Sequence, residues 1–455
     1  MSPEGSVPPS APVSPGAQAL QALQALQAPD PAAFVATTTP VAPSAWTASI
    51  AAAAADTGVL VEGRERALAG LGVAATLHLD RGLEDEASLL AVRDWLAALG
   101  PRVAALGAFA FDRAAPATLL VPAVTWSRDK DGQTWRVEVR RRDDPATSAV
   151  PSAPDPLATS GTGAAPDARA TTLDPSAVAE VPPPDGYAGA VARAVGDIRA
   201  GTLSKVVLGR MVDMRLPFPA VPSLLLEALG DPGGLFSAFS VPTGTGRLVG
   251  ASPELLVLRR GTSVSSHPLA GTAALTGDED DAQVRRLFDS AKDREEHRLV
   301  VDAVVAALEQ RCSALTVPPE PTVVRLGSDA RLGTLVRGAL THAGARGTTA
   351  LALLAMLHPT PAVAGVPRAA ALERIASLEP APRGYWAGAV GWTDGAGDGE
   401  WILAIRSVEL EGRRALVRAG AGIVAASDPA HELAETTLKL RPVLDALWPG
   451  ASALL

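Results

Sequence analysis

The sequence predicts an α+β fold, and three observations carry that prediction. From Phe34 onward, short apolar or β-branched runs and stretches of helical period follow one another irregularly, without the regular βαβ cadence of a parallel sheet. No repeat of solenoid period runs through the chain. With 455 residues, 47% of them hydrophobic, the chain can bury a large core, interrupted mainly by one Pro/Ser/Thr/Ala-rich run.

Taken in order, residues 1–33 are rich in Pro, Ala, Gln and Ser, carry the small repeat "LQALQALQ", and read as a disordered tail. Residues 34–142 read as the first part of a globular body. "EASLLAVRDWLAAL" (86–99) is an amphipathic helix, and "GAFAFD" (107–112) and "ATLLVPAVTWSR" (117–128) are strands. Residues 143–185 have hardly a large apolar group and read as a linker or surface insertion. Residues 186–450 are dense in signals. "LSKVVLGR" (203–210) is a short buried strand, and "LVGASPELLVL" (248–258) is a strand pair broken by Gly-Ala-Ser-Pro. "SAKDREEHRLVVDAVVAALEQ" (290–310) is a helix capped by Ser290, and "ASDPAHELAETTLKL" (426–440) one capped by Ser427 or Asp428. "WILAIRSVEL" (401–410) reads as one strand and "RAGAGIVAAS" (418–427) as another, while "HPLAGTAAL" (267–275) and "LHPTPAVAGVP" (357–367) read as Gly/Pro-punctuated loops.

The net charge of −9 offers no basic field to nucleic acid or an acidic membrane, so neither is expected as a partner. An anionic substrate therefore needs local cations or a metal. A single cysteine, Cys312, excludes an internal disulfide and a Cys-based zinc site. Six histidines without HExxH spacing count against a transition-metal centre, so a metal would sit on carboxylates, as Mg²⁺ does. "MSPEGSVPPS" lacks the regions of a signal peptide, and no run of about 18 apolar residues exists. The expectation is a cytoplasmic enzyme.

The charged residues inside apolar segments are the candidates for chemistry. Lys205 opens a buried strand, where its charge is costly without a partner, although a lysine snorkelling from a strand end is the commoner case. Glu254, flanked by Leu255 and Leu256, should be desolvated and raised toward a useful general acid, unless it is an ordinary turn glutamate. Glu296 falls on the apolar stripe of its helix and so needs a cation, either a metal or a salt bridge. Glu432 and Glu435 share a helix face at i, i+3, with Lys439 one turn on, which also describes a solvated face. Gly420 and Gly422 at a strand end would let a ligand approach backbone N–H groups, though the spacing is no dinucleotide fingerprint. Arg406, inside an otherwise buried strand, should pair with a carboxylate of the protein or of a substrate.

Taken together and in this order, "KVVLGR", "GASPELL", "PLAGT", "KDREEH", "HPTPAVAGVP", "GAVGW", "IRSVEL", "AGAGIV" and "ELAETTLKL" resemble the chorismate-utilising enzymes over roughly residues 186–447. The resemblance implies one large domain of two packed, mainly antiparallel sheets with helices outside, residues 34–142 adding strands to the same body. Enzymes of the family that add ammonia typically carry Gln in place of Lys205, and the aminodeoxychorismate synthases a nucleophilic Lys in place of Ala270. Lys205 with Ala270 is the water-adding pattern, and "HPTPA" (358–362), which the salicylate synthases lack, is intact. The resemblance is thus closest to isochorismate synthase, with salicylate synthase or a non-catalytic paralogue as alternatives.

The same resemblance implies the roles. Mg²⁺ on Glu296 and Glu435, with Glu432 directly or through water, would hold the ring carboxylate of chorismate. Lys205 would take a proton from water attacking C2, and Glu254 would protonate the departing C4 hydroxyl. A lysine base must be substantially neutral, well down from about 10.4. Arg406, Lys439 and backbone N–H groups near Gly420 and Gly422 would hold anionic groups. Gly271, Thr272 and His358 would position the ring and the C4 hydroxyl, and Trp386 and Val363 would form an apolar wall. No glutaminase subunit is expected, and a monomer is the default. Isochorismate feeds both menaquinone and siderophore synthesis, and the catalytic residues are the same for either.

Overall fold

The strand Lys205–Arg215 is buried along almost its whole length in the computed structural model, which describes residues 26–144, 173–230, 234–275, 277, 280–327, 329–341 and 347–455. Alternate side chains of a strand face opposite ways. Val206 and Leu208 enter the main core, while Lys205, Val207 and Gly209 share the other face. The strand pairs antiparallel with Arg414–Ile423, Val207 opposite Gly422 and Gly209 opposite Gly420.

Both strands belong to a 12-stranded sheet. Its order runs Phe34–Val41, Thr134–Arg141, Val124–Asp129, Arg66–Leu71, Val59–Glu62, Ser237–Thr243, Gly246–Ser252, Ser407–Glu411, Arg414–Ile423, Lys205–Arg215, Gly365–Val366, with Val178–Val181 also paired to Lys205–Arg215. A nine-stranded sheet runs Cys312–Thr316, Val336–Leu340, Ser263–His267, Leu255–Arg260, Gly399–Leu403, Ala389–Asp394, Ala104–Phe109, Ala117–Val121, Ala75–Leu79. A small third sheet holds Leu269–Ala274, Asp329–Gly333 and Thr322–Arg325. The pairings are antiparallel.

The two large sheets meet face to face. Val61, Leu68, Phe239, Val241 and Leu248 of the first pack with Leu106, Val390, Trp392 and Ile402 of the second. Each such side chain, fully buried, contributes about 1.5–3 kcal/mol, which holds the layers together. Helices lie outside: Val443 and Leu444 of Pro429–Leu447 cover Val212 and Val417. Both large sheets draw strands from residues 34–142 and from the later chain, so the body is a single large α+β domain.

The fold departs from the sequence expectation at three places. Residues 26–33, expected in the tail, pack on the body: Leu26 is fully buried, and Trp95 donates to the carbonyl of Pro29. The far end of the expected linker is structured as well, with Leu173 buried and Val178–Val181 in the sheet. The rest of the tail and residues 145–172 lie outside the described residues. "WILAIRSVEL" is two strands, Gly399–Leu403 in the nine-stranded sheet and Ser407–Glu411 in the 12-stranded one. Arg406, at the break, has φ 52°, a left-handed value costly for a side chain with a Cβ.

That break positions the site. The chain crosses between the two large sheets there, and it crosses again between Gly246–Ser252 and Leu255–Arg260, where Glu254 sits. The crossings are tied together: Leu403 N–H donates to Glu254 O at 3.0 Å and Ala251 N–H to Arg406 O at 3.2 Å. Among the described residues no helix is long and apolar enough to cross a membrane.

Candidate active site

A cavity opens where these crossings, the small sheet and two helices converge. Its lining includes Val207, Glu254, Gly271, Thr272, Glu296, Arg331, Val363, Trp386, Arg406, Arg418, Gly420, Gly422, Glu435 and Lys439. Ser290 caps the helix Ala291–Leu308 by accepting the N–H of Asp293, which sets the helix phase and brings Glu296 to the cavity. Asp428 caps Pro429–Leu447 in the same way and sets Glu432, Glu435 and Lys439 on one side.

Lys205 is completely buried directly behind the wall, its Nζ 3.0 Å from Glu296 Oε1. The contact is an ion pair without hydrogen-bond alignment, so the buried Nζ has no aligned acceptor among the described residues. Burial alone would raise the Glu296 carboxyl, but Lys205, then Lys439 and Lys292, pull it below the ordinary range. Glu435 accepts from Lys439 at 2.6 Å and from the Thr272 hydroxyl at 3.4 Å. Glu432 is buried beside them and accepts from Lys292 at 2.9 Å; burial and the charge of Glu435 raise it against that pull.

Glu254 is pushed up to about 7 by burial, against the opposing effects of Arg331, the Leu269 N–H, Lys205 and Lys439. The carboxyl thus titrates near neutrality, where a general acid is most effective. Next to the ion pair, His297 is held neutral, down to about 4, by burial and by the charge of Lys205. Its Nε2 meets the Thr334 hydroxyl at 2.7 Å.

The two strand glycines are needed for room. A Cβ on Gly422 would stand 2.1 Å from Glu296 Oε1 and 3.1 Å from Lys205 Cε; one on Gly420 would stand 2.8 Å from the Trp386 ring. They admit side chains of the protein itself, and the Gly420 carbonyl accepts from Lys439 at 3.0 Å. Gly271, at φ 71°, turns the edge of the small sheet beside Asp293, so "PLAGT", expected as a loop, is a bulged strand.

Two expectations change. Arg406 lines the cavity, yet its Nη2 donates to both carboxylate oxygens of Asp329 at 2.7 Å, so the protein supplies the carboxylate. His358 is fully buried outside the cavity lining, its Nε2 3.2 Å from Phe111 O and its imidazole held down to about 4 by burial. Lys205 is also behind the wall but contacts the lining residue Glu296, whereas the His358 Nε2 meets the Phe111 carbonyl, away from the cavity.

Three residues escaped the sequence reading: Arg331, Arg418 and Asp329. Arg418 shares a strand face with Gly420 and Gly422 at i, i+2, i+4, a period-2 signal that could have found it. Arg331 and Asp329 have only the same weak pattern on the short strand Asp329–Gly333.

The sequence model of the chorismate binding enzyme family matches residues 18–448 of the chain. The chain belongs to the chorismate-binding enzymes. As a member of that family it is similar to the isochorismate synthase DhbC of Bacillus subtilis (strain 168), 43% identical over 276 residues, 59% of this chain and 69% of that protein. The isochorismate synthase EntC of Escherichia coli (strain K12) is 40% identical over 258 residues, 56% of this chain and 65% of that protein. The structure of MenF, the menaquinone-specific isochorismate synthase from Escherichia coli, superposes with a TM-score of 0.73 at 25% identity, covering 91% of this chain and 94% of that one. In this chorismate-binding enzyme, Lys439, Arg331 and Arg418 bring cations to the cavity, each also paired with a carboxylate of the protein: Glu435, Asp329 and Glu409.

Proposed function

We propose that this chorismate-binding enzyme is an isochorismate synthase, adding water to C2 of chorismate as the C4 hydroxyl leaves. The observation that carries this reading is a cavity lined by Glu254, raised to about 7, and by Glu296, behind which the buried Lys205 Nζ stands 3.0 Å away without an aligned acceptor among the described residues. Ala270 lies in the cavity wall, so no lysine is available there as a competing nucleophile.

Lys205, as the base, takes the proton from water as its oxygen bonds to C2. Glu254, in its protonated form, gives a proton to the C4 oxygen as the ring double bonds shift, and that oxygen leaves as water. Lys439, Arg418 and Arg331 attract the carboxylates of the substrate, and Trp386 and Val363 bound the ring on its apolar side. Arg406 acts at one remove, holding Asp329 and through it Arg331, whose Nε lies 3.3 Å from Asp329 Oδ2.

Glu296 and Glu435 line the cavity with Glu432 beside them, an all-oxygen set suited to a hard cation. Among the described residues, no three or more His, Cys, Asp and Glu side chains are gathered as a ready metal cage. Mg²⁺ asks for less, since it keeps several waters and takes one or two carboxylates plus substrate groups. Glu296 and Glu435 would hold it, with Glu432 directly or through water. When bound, the ion would neutralise the ring carboxylate of chorismate. Glu296 would then be shared between the cation and Lys205, which would loosen its hold on the lysine.

The test is chromatography of purified protein with chorismate and Mg²⁺, with pyruvate followed by a lactate dehydrogenase coupled assay. Isochorismate in a reversible mixture, no stoichiometric pyruvate, and loss of turnover with EDTA are expected. Salicylate and pyruvate forming at the rate of chorismate loss would make it a salicylate synthase. Anthranilate or aminodeoxychorismate in ammonium buffer would overturn the role of Lys205. Unconsumed chorismate would leave a non-catalytic paralogue. The product would serve menaquinone or siderophore synthesis, and no glutaminase partner is required.

A further inference from the structure

We propose that Arg383, which lies outside the cavity lining, is a positioning residue that clamps the apolar wall of the site to the strand bearing Lys205; this rests on the isochorismate synthase reading. Arg383 follows the helix Arg368–Leu378, and its side chain is only 3% exposed. Nη1 donates to the carbonyl of Val363 at 2.6 Å and Nη2 to that of Val207 at 2.8 Å. Nε donates to Glu379 Oε2 at 2.9 Å, and Nη2 also donates to Glu379 Oε1. The guanidinium lies over the rings of Phe111 and Trp386, 4.3 and 4.9 Å from their centroids.

Each partner belongs to a different part of the site. Val207 is two residues from Lys205 on the same strand face, Val363 is on the loop before Gly365–Val366, and Trp386 closes the ring side; all three line the cavity. Glu379 completes the clamp, since its Oε1 also accepts the N–H of Gly209 at 2.7 Å. Trp386 has little freedom on its other side, because a Cβ on Gly209 would stand 2.6 Å from its ring. Behind Arg383, Phe111, Pro359, Ile375 and Pro382 line a second cavity. Arg383 also lines that cavity, so it stands between it and the wall, and its hydrogen bonds join Val363 to Val207 there.

The arrangement needs a planar fork. Two carbonyls and a carboxylate are met by donors fixed in one plane, and the same plane stacks on two rings. A lysine ammonium offers a compact charge that can do neither. Release of the clamp would let Val363 and Trp386 shift against Lys205, and misplacement of about 1 Å costs as much as about 10²-fold in rate.

The experiment uses the full chain and first establishes that the wild type converts chorismate. Arg383→Lys and Glu379→Gln are then compared with it below their melting temperatures, with folding checked by far-ultraviolet circular dichroism. The expected result is a fall in kcat of at least about fivefold without rescue by lysine. If Arg383→Lys fails to fold, Glu379→Gln, which keeps the arginine and the side-chain volume, decides. A folded variant with a smaller fall in kcat, including one whose defect is confined to KM, overturns the clamp. If the wild type leaves chorismate untouched, the activity reading has failed, and the clamp is judged by near-ultraviolet circular dichroism. Arg383→Lys should then change that spectrum, and the change should vanish in a Trp386→Phe background. Superimposable spectra would overturn it.

Discussion

Glu254→Gln keeps the shape of the side chain and deletes its proton, and the structure assigns it two effects of opposite sign. Folding lifts this carboxyl from an ordinary 4.5 to about 7, mainly because burial disfavours the charged form. A rise of that size means that the folded protein prefers the neutral group by about 3 kcal/mol. Below about pH 4.5 the group is protonated in both states, and the preference costs nothing. Between 4.5 and about 7 the unfolded chain releases its proton while the folded chain keeps it, so stability falls as pH rises. Above about 7 the whole penalty is present. Glutamine cannot ionise and escapes it, so the variant should gain up to about 3 kcal/mol over wild type at pH 8 and little at pH 4. Turnover should move the other way, falling by about 10²–10⁴-fold for want of the acid. For the wild type, kcat/KM should decline as pH rises through about 7, where Glu254 loses its proton. Urea unfolding at both pH values and chromatographic rates measure these quantities. A variant keeping more than about a third of the wild-type rate, or a flat wild-type profile across that pH range, would refute the assignment.

Lys205→Ala should fold and lose about 10²–10⁴-fold in turnover, since it removes the base; retention of more than about a third of the rate would clear Lys205 of that role. Gly422→Ala places a Cβ 2.1 Å from Glu296 Oε1, so Glu296 must move, and a loss of at least about tenfold in kcat/KM is expected. Full turnover in that variant would show that the present position of Glu296 is not required. Asp329→Asn leaves Arg406 and Arg331 without their carboxylate and should cost about 3–5 kcal/mol in urea unfolding. Burial alone would raise Asp329, but Arg406 and then Arg331 hold it below its ordinary 3.8. Its contribution is therefore present above that value and disappears as pH falls through the depressed one, so the cost of Asp329→Asn should shrink in strong acid.

Much of the local structure was legible because its causes are local. The helix over 86–99 has the bounds read from its apolar period, and Asp85 caps it with its own carboxylate. Ser290 and Asp428 set the phase of two more helices, which is why Glu296 and Glu435 could be picked out as inward-facing before any contact was known. Lys205 was conspicuous because a charge in an apolar strand has few inexpensive solutions.

The apolar run 401–410 misled for the same reason in reverse. Period and composition describe a buried strand but do not say which sheet receives it, and the switch at Arg406 depends on contacts with Asp329 and Ala251 from distant parts of the chain. His358 sits in a motif that points to the site, yet the fold turns it to Phe111.

Composition, helix phase and the order of motifs, all properties of neighbouring residues, thus determined the fold class and most residues around the cavity. Tertiary structure alone decided which charge meets which: Lys205 with Glu296, Arg406 with Asp329, Arg383 with Glu379 and two carbonyls. The physical reason is range. Capping and periodicity act within a turn or two, whereas the energy of a buried charge depends on what the rest of the chain packs around it.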